Sequence, residues 1–326
     1  PERAPHDADA AARVTRPDSA PLPMLAIPRR LRHPIAVGIL LLLPALAILA
    51  PNIVTGRTLV PYDVLAQDPV FEAPLLGAGS SSPDNALLAD LVHQNDVWKR
   101  YAVNSLQAGD VPLWNRLVFA GLPFWATGQH SLLYPSTLLF LILPIEQAFT
   151  WNALIACWLA GITAYALGRA LRLRPLPSLV MGTAWSVNLI MVANVVFPMI
   201  QGVLVWTPLL LAGVEVTCRT AAETTARSAL PRGRAVPWLL ALSLSTAFAA
   251  LSGHVEMLYY AGLLAMAFAL FRLLGLARTA GWPTAARVAG WLAASAGLGL
   301  ALAAVQLVPM AELARVNWRS GSETYE

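Results

Sequence analysis

Residues 89–136 read ADLVHQNDVWKRYAVNSLQAGDVPLWNRLVFAGLPFWATGQHSLLYPS, and the rest of the chain takes its meaning from where this stretch sits. It is the one long run that mixes acids, bases, amides and aromatics, and apolar segments lie on both sides of it. This stretch is read as the working surface, and the apolar segments as the frame that holds it.

The frame is a membrane frame. With 57% hydrophobic residues, 12% charged residues and a mean hydropathy of +0.60, the 326-residue chain is too apolar for an ordinary soluble domain. The net charge of +4 comes from many arginines and a single lysine, Lys99. Cys157 falls in an apolar run and Cys218 beside an arginine, so neither offers a disulfide framework or a metal site. Phosphate-cradling glycine loops and zinc spacings are missing, so no nucleotide site is expected, and nucleic acid is not an expected partner.

Residues 1–33 carry Ala, Pro, Arg and Asp without an apolar period and are expected to be a disordered cytoplasmic tail. The domain proper then occupies 34–326. About 20 apolar residues cross a bilayer, which predicts seven spans at 35–54, 149–167, 176–195, 201–216, 236–252, 257–271 and 288–310. Residues 138–143, ended by Pro144, are too few to cross and suit an interfacial or re-entrant piece. The chain opens on Pro1 and closes at Glu326 without a closing signal, and is expected to be the first half of something longer.

Arginine placement orients the spans, because short cytoplasmic loops hold the excess of basic residues. With a cytoplasmic N-terminus, one side receives Arg29, Arg30 and Arg32, then Arg169, Arg172 and Arg174, then Arg219, Arg227, Arg232 and Arg234, then Arg272, Arg278 and Arg287. The other side keeps most of the acids. The fold class expected is therefore an all-α polytopic membrane protein of about seven transmembrane helices, with a large extracytoplasmic first loop over 56–150.

That loop contains a predicted amphipathic helix. Ser82-Pro83-Asp84 supplies an N-cap and a proline at the first helical position. Leu87, Leu91, Trp98, Tyr101 and Ala102 fall on one face, and Gly109 offers the stop. On this helix Asp90, with Gln94 one turn later, is either a general base for an acceptor approaching from outside or an ordinary solvated acid. Asp96 is expected to pair at the surface with Lys99 and Arg100.

Other candidates carry two readings each. Asp63 and Asp68 stand where a headgroup would lie and suit a metal or sugar hydroxyls, yet Asp68-Pro69 is also a common turn. Trp114, Asn115, Gly121, Pro123, Phe124 and Trp125, followed by Gln129 and His130, offer aromatic faces and amides to a sugar ring, although tryptophan is expected at any membrane interface. His130 alone is more often a satisfied polar residue than a ligand. His254 and Glu256 in GHVE form an ionisable pair at membrane depth or a turn at the water boundary. Arg315 and Arg319 suit an anionic phosphate or a solvated tail.

PLWNRLVFAGLPFWATGQHSLLYP with the preceding DLVHQ, the later SGHVE and the closing QLVPMAELARVNWRSGSETYE resembles the YfhO family of bacterial membrane proteins. These are similar in layout to GT-C glycosyltransferases, which use a polyprenyl-phosphate sugar outside the cytoplasmic membrane. The resemblance, over residues 35–326, implies a multi-pass protein of the bacterial cytoplasmic membrane. Its implied reaction moves a sugar from the lipid carrier to a cell-envelope glycopolymer or lipid, with inversion at the anomeric carbon. Asp90, first acid of the D-x-x-x-Q pattern, is the implied base. Gln94, Asn115, Gln129, His130 and His254 match polar positions of the pattern, and Glu256, Arg315 and Arg319 join them as candidate substrate ligands. Where relatives often carry a polar residue before the fourth span, this chain has Phe197-Pro198-Met199, which bears on the acceptor.

A lipid-linked donor brings its own phosphate leaving group, so the charge developing on it needs only a cation or basic side chain. Arginine or Mg²⁺ can meet that need, with Asp63 beside Asp90 as oxygen ligands for the metal. The alternatives are a transporter or flippase of a lipid-linked precursor and an inactive envelope-assembly scaffold.

Overall fold

The computed structural model describes residues 34–67, 85–223, 233 and 235–316. The expected tail, Asp68-Pro69, the Ser82-Pro83-Asp84 helix start, Arg227, Arg232, Arg234 and Arg319 lie outside the described residues.

Six of the described helices are long and apolar enough to cross a membrane. They are α1 (Pro34–Thr55), α5 (Ile145–Ala170), the broken rod of α6 (Pro175–Ser186) and α7 (Leu189–Ala193), α8 (Pro198–Glu223), α10 (Val255–Ala280) and α11 (Trp282–Leu302). A shorter apolar helix of 17 residues, α9 (Ala235–Leu251), covers the fifth expected span. The chain is an all-α polytopic membrane protein. The last expected span, 288–310, is corrected: α11 begins at Trp282 behind Gly281 (φ +86), ends at Leu302, and hands over to a separate helix α12 (Ala304–Val316). The third breaks because the Asn188 side chain accepts from Met191 N–H at 2.9 Å and starts a new helix.

Helix α8 is the hub, with 72% of its apolar window buried, whereas α10 has 17% buried and faces outward along most of its length. It packs on α5, α9 and α10. Small residues set the crossings, as expected where lipid removes the usual apolar driving force between helices. A Cβ on Gly182 of α6 would lie 2.7 Å from the Gly161 carbonyl oxygen of α5, and one on Gly299 of α11 would lie 2.4 Å from that of Ser243 in α9. Ser243 Oγ also donates to Ser295 O at 2.8 Å across the same crossing. The α1 stripe Leu41, Ala45 and Leu49 is buried at i, i+4 and i+8, with Ala45 and Leu49 in one cluster with Ala153, Cys157 and Ala160 of α5.

The bundle has two unlike ends. At one, Arg219 donates to the Ala170 carbonyl, Arg172 pairs with Glu223, and Glu215 sits 2.8 Å from Arg272 Nε and 3.7 Å from Arg219. Arg272 Nε and Glu215 Oε2 are misaligned for a hydrogen bond, so that contact is ionic, and Arg272 Nη2 bonds Glu215 Oε1 at 3.1 Å. At the other end lies the long loop. It contains a two-turn 3-10 segment Tyr62–Gln67, a helical rod made of a π-type stretch Leu91–Asp96 and α2 (Val97–Gln107), a two-residue hairpin of β1 (Trp114–Asn115) and β2 (Leu122–Pro123), and short helices α3 (Phe124–Thr127) and α4 (Thr137–Ile142).

The rod corrects the amphipathic-helix expectation. Leu87 is 90% exposed, and the buried face is Leu91, Val92, Asn95, Asp96, Lys99, Ala102 and Val103. The physical reason is the π stretch, whose i→i+5 bonding takes more residues per turn and rotates α2 relative to the residues before it. Leu91, Val92 and Val103 thereby meet Phe140 of α4 and Ile145 and Phe149 at the start of α5. Gly109 (φ +82) ends the rod, as expected.

Candidate functional site

Asp90 and Gln94 stand at the head of the rod, both exposed, with Gln94 Nε2 donating to Asp90 Oδ1 at 3.3 Å. Asp90 makes no capping bond with its side chain, so the carboxylate remains open to the surroundings. Asn95 Nδ2 reaches back to the Asp90 carbonyl at 3.3 Å and steadies the turn.

Below this pair is a knot of charge. Arg100 donates through Nε to Asp96 at 2.8 Å and through Nη2 to Glu146 and to the Tyr62 hydroxyl, both at 2.6 Å. The expected surface pairing of Asp96 with both bases is corrected: Asp96 is 4% exposed and, of the two, pairs with Arg100, while the Tyr62 hydroxyl donates to its other oxygen at 3.4 Å. One guanidinium thus ties the entry turn, the rod and the start of α5 together, which its planar fork of donors allows. Burial first, and the Asp96 carboxylate second, push the Tyr62 phenol above its ordinary value.

Lys99, absent from the sequence-derived site, is 3% exposed and points the other way. Its Nζ donates to the His130 carbonyl at 2.6 Å and to Thr137 Oγ1 at 3.3 Å, and lies 4.6 Å from the Phe140 ring centre. His130 is buried, stacked on Phe124 with centroids 4.5 Å apart. Its Nε2 contacts the Phe124 carbonyl at 3.1 Å and its Nδ1 accepts from Leu132 N–H at 3.1 Å, which sets the neutral Nε2–H tautomer. Both ring nitrogens serve the fold, in line with the satisfied-polar reading.

These two groups give the fold a pH signature. Burial, and next the Lys99 charge, lower the His130 pKa from 6.5 to about 4. Burial lowers that of Lys99 from 10.5 to about 7. In both windows the unfolded chain holds the extra proton, so stability rises with pH from about 4 to 6.5 and again from about 7 to 10.5. Thermal unfolding in detergent across this range should show two ascending limbs. Lys99→Met should flatten the upper one, and an unchanged upper limb would remove Lys99 as its source.

The aromatic loop is docked onto the bundle. Ser131 Oγ donates to Ser252 O at 2.6 Å, Trp125 Nε1 to Val305 O at 3.0 Å, Gln306 Nε2 to Trp125 O at 2.9 Å, and Trp206 Nε1 to the Tyr134 hydroxyl at 3.1 Å. Gly253 (φ +88) touches Gly128, and a Cβ there would lie 3.2 Å from the Gln129 nitrogen. The segments carrying exposed Gln129 and half-buried His254, far apart in sequence, therefore run side by side at this turn. His254 caps α10 by accepting from Met257 N–H at 3.2 Å, and burial first lowers its pKa while Glu256 offsets part of the effect. Glu256 is exposed and accepts from Tyr260 at 2.9 Å.

The remaining predicted residues scatter. Asn115 is 2% exposed and its Oδ1 accepts from Leu117 N–H at 2.9 Å, so it shapes the hairpin and does not face an open site. Arg315 is exposed in the last turn of α12, and Asp63 is part-buried in the entry turn. Among the described residues no three His, Cys, Asp or Glu side chains converge on a metal-sized position. The cysteines are free and buried. What sequence spacing missed, Lys99 above all, it missed because an i, i+3 acid–base pair looks the same whether the lysine turns outward or inward. No protein-family profile, curated protein or solved structure matches the chain.

Proposed function

We propose that the protein is a glycosyltransferase of a bacterial cytoplasmic membrane, moving a sugar from a polyprenyl-phosphate carrier to a cell-envelope acceptor at the loop-bearing end of the bundle. The observation that carries this reading is Asp90, exposed and paired with Gln94 at 3.3 Å, at the head of a rod whose other face is buried against the spans. A carboxylate so placed has a fixed support and an open side.

In the reaction, the acceptor oxygen attacks the anomeric carbon while its proton passes to Asp90. The bond from that carbon to the phosphate oxygen breaks with inversion, and its electron pair leaves with the polyprenyl phosphate. Arg315 offsets the charge that develops there. The arginine-rich end, holding Arg169, Arg172, Arg219 and Arg272, is the cytoplasmic one on the positive-inside rule.

Transport of a lipid-linked precursor is the second reading, and Glu215 favours it, being 6% exposed within α8 and paired with Arg272 of α10. At the rise of an α-helix that pair lies about 12 Å from its helix ends and about 7 Å from the helix midpoints, on the basic side of the middle.

The test uses the full chain in proteoliposomes with radiolabelled polyprenyl-phosphate sugars and a crude envelope glycan. Label appearing in the glycan supports the transferase. Label that only changes leaflets overturns it in favour of transport.

A further inference from the structure

A cleft of about 520 Å³ opens where the end of α2 meets the hairpin, and it holds none of the residues given a part in the reaction above. Tyr101 and Trp114 form its aromatic walls, and Ser105, Asp110 and Arg116 its polar ones. Its volume falls in the range of small-molecule sites, which pair apolar faces with a few placed polar groups.

The Trp114 ring is held in place before any ligand arrives. It lies directly on the backbone of Gly121, where a Cβ would come within 2.2 Å of the indole Nε1, and Gly121 adopts φ +114. The Tyr101 hydroxyl donates to the Trp114 carbonyl at 2.8 Å, and strand pairing sets Trp114 opposite Pro123. Trp114 nevertheless stays 51% exposed. Asp110 and Arg116 are exposed and take part in no ion pair among the described residues.

We infer that this cleft is a carbohydrate subsite taking one pyranose ring. The C–H face of the sugar stacks on Trp114, the Asp110 carboxylate accepts from two neighbouring hydroxyls, and Arg116 and Ser105 donate to ring substituents. The chemistry argues against other ligands. An isolated phosphate calls for clustered cations, whereas here one carboxylate balances one guanidinium. A lipid chain would desolvate both charges without replacing their hydrogen bonds.

Resting on the transferase reading, the subsite belongs to the acceptor. Tyr101 follows Asp90 along one rod by about 15 Å, at the rise of a helix. A sugar in the cleft is thus separated from the reacting hydroxyl by further sugars, and the acceptor is an oligosaccharide or polymer.

The test is calorimetric titration of the full chain in nanodiscs with tetrasaccharides of glucose, galactose, N-acetylglucosamine and rhamnose. Wild type should bind at least one saturably. Trp114→Ala and Asp110→Asn should each weaken that binding about tenfold, the loss of one stacking face or one charge-assisted bond set. Asp110 is exposed, so its variant remains informative even where Trp114→Ala unfolds. Absence of saturable binding to all four, or equal binding by wild type and Asp110→Asn, overturns the subsite. Binding without any sugar transfer would remove the transferase reading and leave the subsite standing.

Discussion

Asp90→Asn will lower sugar transfer by about 10² to 10⁴-fold, the usual contribution of a positioned general base, while the protein inserts and melts as wild type does. The amide is isosteric and retains an oxygen to accept from Gln94, so the support at 3.3 Å can survive. Only the proton acceptor is lost. Because the side chain is exposed and caps nothing, stability should change by less than about 0.5 kcal/mol. The comparison is initial transfer rate at equal membrane content, with Gln94→Ala beside it as a milder lesion of positioning. Full transfer by the Asn variant would remove Asp90 from the mechanism. Loss of transfer together with loss of folded protein would assign it to the scaffold.

The second large effect is structural. Gly253→Ala puts a methyl group 2.0 Å from the Gly128 carbonyl oxygen and 2.5 Å from its carbon, at φ +88. Neither strain can relax alone, because both partners are backbone. The left-handed conformation costs an L-residue about 1–2 kcal/mol, and separating the surfaces also breaks the Ser131 to Ser252 bond, worth about 1 kcal/mol. The expected loss is about 3 kcal/mol or more, concentrated where the loop docks. Hydrogen exchange should therefore rise over 124–134, while amides of α5 and α8 stay protected. Ser131→Ala is the matched control, removing the bond without the clash. Wild-type protection of 124–134 in Gly253→Ala would refute the docking contact.

Transfer should fall in Gly253→Ala as well, since the close approach of Gly253 to the Gly128–Gln129 backbone is what sets the segments carrying Gln129 and His254 side by side. Asp90 is anchored separately by Asn95 and by the buried face of the rod.

Hydropathy and arginine spacing alone place all seven apolar segments on helices and set the polar loop apart from them, because each apolar run must satisfy its own backbone in lipid, and only a helix does so within one segment. They also place Asp90 and Gln94 on one side of a turn, since four-residue spacing is local. Local spacing fails at the next turn. A π stretch, invisible in residue type, turns Asp96 and Lys99 inward, and one carbonyl 31 residues away and one hydroxyl 38 residues away decide that Lys99 is a buried donor. Asn115 and His130 have the residue types of a sugar site, yet their hydrogen bonds are spent on the loop's own backbone. The meeting of residues 124–131 with 252–254 and 304–310 joins three separate parts of the chain through glycine backbone, one serine and two reciprocal amide and indole bonds. Periodicity reports which face of an element is apolar, and contacts across more than a hundred residues arise only when those faces pack.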